Sequence, residues 1–364
     1  MAITFDDLGP QKVVEVYHSK LKFHGFLVID NTALGVGKGG IRMTPTVTVE
    51  EVFQLARVMT YKTAMAKLPL GGAKSGIVFD PKKASLKEKY EVIKAFSKLL
   101  KVHCPAEYIA APDVNTGEKE MEIFAKANGD LNACTGKPKK LGGIPHELGS
   151  AGYGVFYAAQ TASNFLNLDL KKLSFAIEGF GTVGKWSAKY LTEFGAKLVA
   201  VSDSKGTIYN SAGIRFNELL KIKKTTGTVT NYPGQILKPE EIVSLPIDIL
   251  ITAAVPYLIN ESNVDKIKAK LIVEGSNIPA TWQAEEILHK KGILVIPDFV
   301  ANAGGVISSY VELQKGTEKD VFRLVKRKIT RATKATLEKS KSENISPRQA
   351  AIKIARERLL KVKV

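Results

Sequence analysis

The chain has 364 residues, of which 45% are hydrophobic and 24% charged, and it carries a net charge of +17. This length favours two domains, each large enough to bury a core. No apolar run approaches the ~18–20 residues that span a bilayer, and the N-terminus lacks the basic and apolar regions of a secretory signal. We therefore expect a cytoplasmic protein and exclude a membrane protein.

The basic residues are mostly lysines spread along the whole chain, without a dense run and without interleaved aromatic residues. Recognised nucleic-acid-binding modules are also absent from the sequence. This distribution favours a solvated basic surface that steers acidic small molecules towards the protein, and it argues against a nucleic-acid partner.

The cysteines and histidines give no sign of a metal site. Cys104 and Cys134 form no CxxC pair, so we expect two inert thiols in a reducing compartment. The histidines show no metal-ligand spacing, and we predict that no metal is bound. They are His18, His24, His103, His146 and His289.

The first half of the chain mixes strand and helix patterns. Thr48 with Glu51, and Ser85 with Glu88, have the spacing of a capping box at a helix start. Gly129 is a typical helix stop. The predicted elements are a strand at 21–29 and helices at 48–67, after 85 and at 116–129.

The second half alternates short apolar runs with helical stretches, which predicts a doubly wound parallel sheet. A glycine cluster at 141–154 is a candidate hinge, and the chain is helical and basic from about 321 to 362. The fold class is therefore α/β with two domains. The predicted strands are 173–177, 197–202, 247–252, 270–274 and 293–297.

A glycine-rich turn follows the first of these strands, with the sequence Gly179-Phe180-Gly181-Thr182-Val183-Gly184. A helix pattern at 183–194 comes directly after it, so the context is that of a dinucleotide-binding turn with phosphates at a helix N-terminus. Asp203 ends the next strand, where a carboxylate can accept hydrogen bonds from the adenosine ribose. Asp203 favours NAD, whereas Ser204 and Lys205 suit the 2′-phosphate of NADP, and both cofactors remain possible.

Three lysines in the first fifth of the chain are the other prominent feature. Lys38 and Lys74 are flanked by glycines, which suits contact with a small anion more than packing in a core. With Lys62 they suggest an anionic small molecule held beside a dinucleotide, which is an arrangement typical of an enzyme.

From about 34 to 312 the sequence resembles the glutamate, leucine, phenylalanine and valine dehydrogenases, which deaminate amino acids oxidatively. Several motifs match in order and spacing. They are Lys38-Gly39-Gly40-Ile41-Arg42, Met59-Thr60-Tyr61-Lys62, Leu68-Pro69-Leu70-Gly71-Gly72-Ala73-Lys74, Ala111-Pro112-Asp113, Glu274-Gly275-Ser276-Asn277 and Asn302-Ala303-Gly304-Gly305-Val306.

The resemblance implies a role for each matching residue. Lys62 would bind the substrate α-carboxylate, Lys74 would be the catalytic lysine, and Asp113 the catalytic aspartate that moves a proton at the amino nitrogen. Lys74 would need a pKa lowered by burial beside another cation to activate water. Hydride would leave Cα for the nicotinamide, and the imino acid would hydrolyse to a 2-oxo acid and ammonia.

Side-chain specificity would depend on Lys38 and Ser309, which match the positions that bind the γ-carboxylate in the glutamate type. Ala111, Thr135 and Val306 would line the rest of the pocket. A buried ammonium without an anionic partner is costly, so L-glutamate, 2-oxoglutarate and ammonium are the expected substrates. Glu147 stands where an arginine is common, and a branched-chain or other amino acid therefore remains an alternative.

The resemblance also implies further cofactor contacts, from Asn277 to the nicotinamide ribose and from Asn302 to the nicotinamide or the substrate amino group. The segment with Ala253 and Ala254 would run alongside the adenosine ribose. A substrate-binding and oligomerisation domain at 1–150, completed by a C-terminal helix at 330–364, would close by rotation on a Rossmann NAD(P)-binding domain at 151–329.

The implied assembly is a homo-oligomer, with a hexamer favoured and an octamer or dimer possible. A catalytically silent regulatory or nucleic-acid-binding paralogue is the remaining alternative, but a binding module has no use for Lys62, Lys74 and Asp113 together.

Overall fold

The computed structural model describes residues 3–362, and the chain divides into two compact units. Unit 1 contains the residues up to Leu148, Val306–Val321 and those from Ala355 onwards. Unit 2 contains Gly149–Gly305 and Phe322–Ile354. Residues 1–2 and 363–364 of the predicted domain ranges lie outside the described part.

The described part of unit 1 contains a six-stranded sheet with the order β1-β2-β5-β3-β6, in which β4 pairs with β5. Strands β1, β2 and β5 are antiparallel neighbours, whereas β3 and β4 run parallel to β5 and β6 runs parallel to β3. The strands are β1 Lys12–His18, β2 Phe23–Asn31, β3 Gly37–Lys38, β4 Ile41–Thr44, β5 Gly71–Val78 and β6 Tyr108–Ile109.

Alternate residues of β2 supply the two faces of this sheet with apolar side chains. Leu27 and Ile29 belong to the larger core, which also takes in helices α2 and α3, while Phe26 and Val28 belong to a smaller core with helix α1. The helices are α1 Val49–Met65, α2 Leu86–Leu99 and α3 Glu118–Asn128.

The predicted capping box at Ser85 and Glu88 is confirmed, because each side chain binds the other residue's backbone N–H. The box predicted at Thr48 is only half formed. Thr48 accepts a hydrogen bond from the backbone of Glu51, but the Glu51 carboxylate binds Arg42 instead of the Thr48 backbone.

The predicted start of the third helix at residue 116 is wrong by two residues. Gly117 is the N-cap, and the Glu120 carboxylate accepts its backbone N–H at 2.8 Å. The hydroxyl of Thr116 instead donates to the carbonyl of Ile41 at 2.7 Å. The predicted stop at Gly129 is confirmed, since this residue has a left-handed φ of 90°.

Strand β5 has no counterpart in the sequence prediction, because its glycines resemble a loop. Its residues from Gly71 to Ile77 are buried. A Cβ atom on Gly72 would lie 2.1 Å from Oγ1 of Thr60, so the missing side chain is what lets helix α1 pack directly against the strand.

Unit 2 contains a seven-stranded sheet with the order β10-β9-β8-β7-β11-β12-β13. Five neighbouring strands of this sheet are parallel, namely β8, β7, β11, β12 and β13. The limits of each lie within two residues of the predicted limits. This confirms the predicted parallel sheet. The strands are β7 Ser174–Glu178, β8 Lys197–Asp203, β9 Gly206–Tyr209, β10 Gln235–Leu237, β11 Ile249–Thr252, β12 Leu271–Glu274 and β13 Leu294–Ile296.

Strands β9 and β10 form an antiparallel edge that the sequence pattern did not reveal. The helices from residue 150 onwards connect the strands and then complete the chain. They are α4 Ser150–Phe165, α5 Thr182–Phe194, α6 Phe216–Thr226, α7 Trp282–Lys290, α8 Asp298–Ala301, α9 Gly304–Leu313, α10 Glu318–Glu343 and α11 Pro347–Leu360. No helix within residues 3–362 combines the length and apolar character that a bilayer crossing requires.

Residues 322–354 belong to unit 2, whereas the predicted domains place residues 330–364 with the first domain. The assignment to unit 2 has a packing reason. The ring of Phe322 in α10 lies 4.9 Å from that of Tyr153 in α4, and Lys326 lies over the ring of Tyr157. The first unit boundary, between Leu148 and Gly149, falls inside the glycine cluster, and its role as a hinge stays a prediction.

Candidate active site

Lys38 and Lys74 lie on the parallel strands β3 and β5. The strands approach closely at Gly39, where a Cβ atom would lie only 1.7 Å from the carbonyl oxygen of Ala73. The two lysines are 1% and 4% exposed. Both lysines are therefore buried, and the polar partners described below make their burial possible.

The Asp113 carboxylate binds two cations, one at each oxygen. The Lys74 ammonium donates to Oδ1, and Nε of Arg42 donates to Oδ2 at 2.8 Å. Nη1 of Arg42 also donates to the Glu51 carboxylate at 2.5 Å. The four side chains thus form a continuous chain of ion pairs from helix α1 to Lys74.

The charges in this group determine its protonation. Burial alone would raise the pKa of Asp113, but Lys74 and Arg42 lower it far below its ordinary value. Burial lowers the pKa of Lys74, the charge of Asp113 opposes this, and the charge of Arg42 adds to it. The predicted lowering of the Lys74 pKa by burial beside a cation is therefore present, with Arg42 as the cation.

The loop that carries Asp113 is held by Thr116. The backbone N–H of Asp113 donates to the Thr116 hydroxyl at 2.9 Å, and this hydroxyl in turn donates to the carbonyl of Ile41. A Cβ atom on Gly40 would lie 2.8 Å from the Cβ of Asp113. Thr116 and Gly40 together fix the position of the carboxylate.

Within residues 3–362 the hydrogen-bond partners of the Lys38 side chain are backbone carbonyls. Its ammonium donates to the carbonyl oxygen of Ala110 at 2.8 Å and to that of Ile109 at 3.3 Å. Among residues 3–362 no carboxylate lies within ion-pair distance of it. Burial lowers the pKa of Lys38 to about 7, while the negative charge of Glu312 acts in the opposite direction.

Two of the residues expected to line the substrate pocket meet in unit 1. The hydroxyl of Thr135 donates to that of Ser309 on helix α9 at 3.0 Å. Val306 lies one turn earlier on α9 and is 7% exposed, and Ala111 accepts a backbone hydrogen bond from Ile41 at 2.9 Å. Glu147, which stands where the family commonly has arginine, is exposed in a short 3-10 turn.

Lys62 lies in the last turn of helix α1 and is 7% exposed. Lys62 lies twelve residues before Lys74 in the sequence, and both residues belong to unit 1. Of the residues with predicted roles, Lys74 contacts Asp113 and Thr135 contacts Ser309. Asn277, Asn302 and the glycine-rich turn belong to unit 2.

The glycine-rich turn of unit 2 has the geometry that phosphate binding requires. Gly179 has φ +86°, and a Cβ atom on Gly184 would lie 1.9 Å from the Gly179 carbonyl oxygen, so the helix starts against the turn. A Cβ atom on Gly181 would meet nothing within 4 Å. Gly181 caps α5 without a side-chain hydrogen bond, so the N–H groups that follow, starting at Thr182, suit a phosphate group.

Phe180 and Val183 pack around this turn. The ring of Phe180 lies edge-on to that of Phe216 at 6.3 Å. Val183 is next to Gly275, where an added Cβ would lie 3.0 Å from its Cγ1. The two apolar side chains therefore support the turn.

Glu178 fixes the neighbouring segment that contains Ala253 and Ala254. Its buried carboxylate accepts the backbone N–H groups of Ala253 and Ala254 at 3.0 Å and of Val255 at 3.2 Å. Burial raises the pKa of Glu178, and these three hydrogen bonds lower it in part.

Several buried acceptors near the carboxyl ends of β11 and β12 suit a bound dinucleotide. Oγ1 of Thr252, Oγ of Ser276 and Oδ1 of Asn302 are buried and have no hydrogen-bond partner within the described residues. The Asn302 amide nitrogen donates to the carbonyls of Gly275 and Ser276 and to Oδ1 of Asn277 at 3.2 Å. Its oxygen is thereby oriented as an acceptor, which suits a carboxamide or an amino group.

Asp203 is already occupied by donors of the chain. Its carboxylate accepts from Nζ of Lys223 at 2.7 Å and from the backbone N–H groups of Lys205 and Val229 at 2.8 Å. The Thr228 hydroxyl adds a fourth contact at 3.3 Å. A carboxylate has about four acceptor sites, so the ribose contact of Asp203, which stays a prediction, requires one of these donors to leave.

A buried cluster of four charges holds the segment before Asn277. Arg348 binds Glu285 at 2.6 Å, Glu274 at 2.7 Å and Asp298 at 3.1 Å. Burial raises the pKa of Glu274 and Glu285, whereas Arg348 lowers both. We call these residues the Arg348 cluster.

The sequence reasoning gave no role to Arg42, Glu178 or Glu312, and it assigned Thr116 to a helix start. Arg42 was visible as part of a matching motif, and Glu312 lies three residues after Ser309, on the same helical face. Nothing in the local sequence indicates the partner of Glu178, because its contacts are 75 or more residues away.

No group of three or more His, Cys, Asp or Glu side chains suited to a metal ion occurs within residues 3–362, a range in which the His146 side chain is not described. Both cysteines are free and buried, and burial raises the pKa of each to about 12.

Two family models cover most of the chain. The model described as Glutamate/Leucine/Phenylalanine/Valine dehydrogenase matches residues 142–364. The model described as Glu/Leu/Phe/Val dehydrogenase, dimerisation domain, matches residues 10–128.

Individual proteins are similar to this chain over most of its length. The glutamate dehydrogenase of Aeropyrum pernix is 41% identical over 358 residues, covering 93% of this chain and 85% of the relative. The NADP-specific glutamate dehydrogenase of Saccharolobus shibatae is 43% identical over 318 residues, covering 83% and 75%. A solved hetero-hexameric glutamate dehydrogenase from Thermus thermophilus, in a Leu bound form, is 29% identical with a TM-score of 0.89, covering 97% of this chain and 89% of that one.

Proposed function

The chain belongs to the Glu/Leu/Phe/Val dehydrogenase family, and on this basis we propose that it oxidises L-glutamate to 2-oxoglutarate and ammonia with NAD or NADP, and catalyses the reverse amination. The names of the relatives in Aeropyrum and Saccharolobus support glutamate as the substrate. The observation that carries the proposal is the state of Lys38.

Lys38 is a buried ammonium whose described partners are two backbone carbonyls. A buried cation without an anion is unfavourable, and a substrate carboxylate would relieve this cost. The hydroxyls of Ser309 and Thr135 would supply further hydrogen bonds to it. An apolar side chain would leave Lys38 unpaired, which favours a dicarboxylic amino acid over leucine or valine.

The reacting end of the substrate would use Lys62, Lys74 and Asp113. Lys62 binds the α-carboxylate as a point charge. The low pKa of Asp113 keeps it ionised, so that it accepts a hydrogen bond from the substrate ammonium group and holds its proton only in passing. The lowered pKa of Lys74 makes a neutral amine accessible, which removes a proton from the water that attacks the imino carbon.

The dinucleotide would be held by unit 2, at the turn from Gly179 to Val183, by Asn277 and by the acceptors around Asn302. NAD or NADP held there would supply the acceptor for the hydride that leaves Cα. The relative in Saccharolobus is named NADP-specific, and in this chain Ser204, Lys205 and Lys223 are the groups suited to a 2′-phosphate.

The proposed assembly is a homo-oligomer, with a hexamer favoured over an octamer or a dimer. The Thermus relative is described as hetero-hexameric, and the model that matches residues 10–128 is described as a dimerisation domain. A cytoplasmic location stays a prediction.

Initial rates with ammonia, NADH or NADPH, and either 2-oxoglutarate or 4-methyl-2-oxopentanoate test the proposal directly. We expect turnover with 2-oxoglutarate, and a preference for 4-methyl-2-oxopentanoate would instead assign the leucine type. Lys74→Ala and Asp113→Asn should lower kcat by at least about 10²–10⁴-fold while NADH binding, followed by its fluorescence, is retained. Near-native kcat in either variant would remove the catalytic assignment.

A further inference from the structure

A further buried lysine, Lys137, lies in unit 1 and has no part in the mechanism above. Its ammonium forms an ion pair with Oε1 of Glu312 at 2.7 Å, and the two side chains are 6% and 3% exposed. Lys137 also donates to the backbone carbonyl of Cys134. The other oxygen of Glu312 accepts the backbone N–H groups of Gly136 at 2.9 Å and Ile144 at 3.0 Å.

This pair lies beside the residues that would bind the substrate side chain. Glu312 is one helical turn from Ser309 on α9, and Lys137 is two residues from Thr135, which itself contacts Ser309. Both charges influence the pKa of Lys38. After burial, Glu312 is the largest influence on the pKa of Lys38 and raises it, while Lys137 lowers it.

Glu312 and Lys137 change the pKa of Lys38 in opposite directions, so their combined charge determines the effect on Lys38. Glu312 without Lys137 would be a buried carboxylate of the chain itself, close enough to stabilise the Lys38 ammonium and to repel an incoming carboxylate. Lys137, bound to it at 2.7 Å, opposes that charge. Within the described residues the hydrogen-bond partners of the Lys38 ammonium are then two backbone carbonyls.

We propose that Lys137 and Glu312 are a specificity-determining pair, in which Lys137 neutralises Glu312 so that Lys38 is left to the side-chain carboxylate of the substrate. The proposal rests on the proposed function, since it concerns the affinity for a dicarboxylic substrate. The Glu312 carboxylate also holds the loop at Gly136 and Ile144 against α9. Both are positioning residues, acting through Lys38.

The test compares 2-oxoglutarate with 2-oxopentanoate, which has the same chain length without the second carboxylate. In Lys137→Met, Glu312 is no longer neutralised, and KM for 2-oxoglutarate should rise by about tenfold or more. KM for 2-oxopentanoate and kcat should change far less. Lys140→Met removes the same charge at an exposed lysine three residues away and should leave both KM values unchanged.

The double variant Lys137→Met with Glu312→Gln separates electrostatics from loop packing. It removes both charges while keeping an acceptor for the Gly136 and Ile144 N–H groups, so KM for 2-oxoglutarate should return towards the wild-type value. Equal increases in KM for the two oxo acids, or a double variant no better than Lys137→Met, would show a purely structural role and overturn the proposal.

The outcomes for the two proposals are distinguishable. A wild-type enzyme that prefers 2-oxopentanoate to 2-oxoglutarate contradicts the proposed function itself. A wild type that prefers 2-oxoglutarate, with a preference that Lys137→Met leaves unchanged, contradicts only the role of the pair. If Lys137→Met does not fold, the double variant and Lys137→Gln give the same comparison of KM values.

Discussion

Arg42 and Lys74 bind opposite oxygens of a single carboxylate, that of Asp113. Arg42 keeps its charge at any pH at which the protein is folded, whereas Lys74 must lose its proton to act as a base. The permanent charge of Arg42 therefore holds Asp113 in place and in its ionised form at the moment when Lys74 becomes neutral.

Replacing Arg42 should consequently change the pH dependence of catalysis. In Arg42→Met the pKa of Asp113 rises, because one of the two charges that lower it is gone. The pKa of Lys74 rises as well, because the charge of Arg42 also lowers it. Since Lys74 must be neutral to act as the base, the acid limb of the kcat profile should move to higher pH and kcat should fall by at least about tenfold. The measurement is kcat for glutamate oxidation across the pH range.

Glu51→Gln is the matched control, since it removes the other partner of Arg42 and leaves the contact with Asp113. We expect a much smaller displacement of the acid limb. If Arg42→Met moved the limb no further than Glu51→Gln, the effect of Arg42 on the protonation of Lys74 and Asp113 would be refuted.

Lys38 should make the affinity for glutamate depend on pH near neutrality. Its folded pKa of about 7 lies below the ordinary value, so the ammonium is present below about 7 and is lost as the pH rises through that value. A bound carboxylate favours the ammonium and raises this pKa. KM for 2-oxoglutarate should therefore increase with pH above neutrality, while KM for 2-oxopentanoate should not.

In Lys38→Leu this pH dependence should disappear and KM for 2-oxoglutarate should rise by about 100-fold, since removing one partner of a buried charge pair costs about 2–5 kcal/mol. Preference should move towards apolar oxo acids. Steady-state KM values for the variant at several pH values decide the matter, and unchanged KM for 2-oxoglutarate would exclude contact between Lys38 and the substrate.

Lys223 should influence the choice between NAD and NADP through its ion pair with Asp203. In Lys223→Met an acceptor site of Asp203 becomes free for a ribose hydroxyl, and the unneutralised carboxylate repels a 2′-phosphate. The ratio of kcat/KM for NADP to that for NAD should fall by about tenfold, equivalent to about 1.4 kcal/mol.

Lys224→Met is the control, because Lys224 is exposed and adjacent in sequence and its loss changes the net charge equally. It should leave the cofactor ratio within a small factor of the wild type. An equal decrease in both variants would mean that long-range charge, and not the Asp203 contact, sets the ratio.

The Arg348 cluster should make stability depend on pH. The folded pKa values of Glu274 and Glu285 are raised above the ordinary 4.5, so between that value and the folded pKa values the folded state binds more protons than the unfolded state. Stability should therefore decrease as the pH rises through this window. Glu285→Gln should flatten that decrease, as measured by Tm between about pH 5 and about pH 8.

Arg348→Met should have the opposite effect on the same cluster. It leaves three buried carboxylates without their cation and should lower the free energy of unfolding by about 3–5 kcal/mol, most strongly at high pH. Denaturant unfolding at two pH values measures this loss. A pH-independent loss would point to packing as its only cause.

The Rossmann sheet followed closely from the sequence, because its strands are buried on both faces and appear as short apolar runs such as 247–252. Strand β5 did not, because Gly71, Gly72 and Gly76 carry no hydrophobic pattern. There the reason for glycine is tertiary, namely the approach of Thr60 on helix α1, and a single sequence does not contain that distance.

In the candidate site, too, some features were predictable from the sequence and others depend on tertiary contacts. The glycines around Lys38 and Lys74 indicate anion binding, and the family resemblance implies the roles of Lys62, Lys74 and Asp113. Their electrostatic partners were not apparent, since Glu312 is 175 residues from Lys137 and local spacing carries no information about such a pair. The full burial of Lys38 likewise depends on the carbonyl of Ala110, 72 residues away.

Helix α1 carries residues of two different parts of the candidate site. Near its first turn Glu51 binds Arg42 and so reaches Asp113, and its last turn carries Lys62. These two positions are eleven residues apart, about 16 Å along a helix axis. The helix is therefore a rigid spacer between Lys62, which is predicted to bind the substrate carboxylate, and the ion pairs around Asp113, the predicted proton-transfer group. Inserting one residue between them would turn Lys62 by about 100° around the axis, and activity would be lost with every reacting side chain still present.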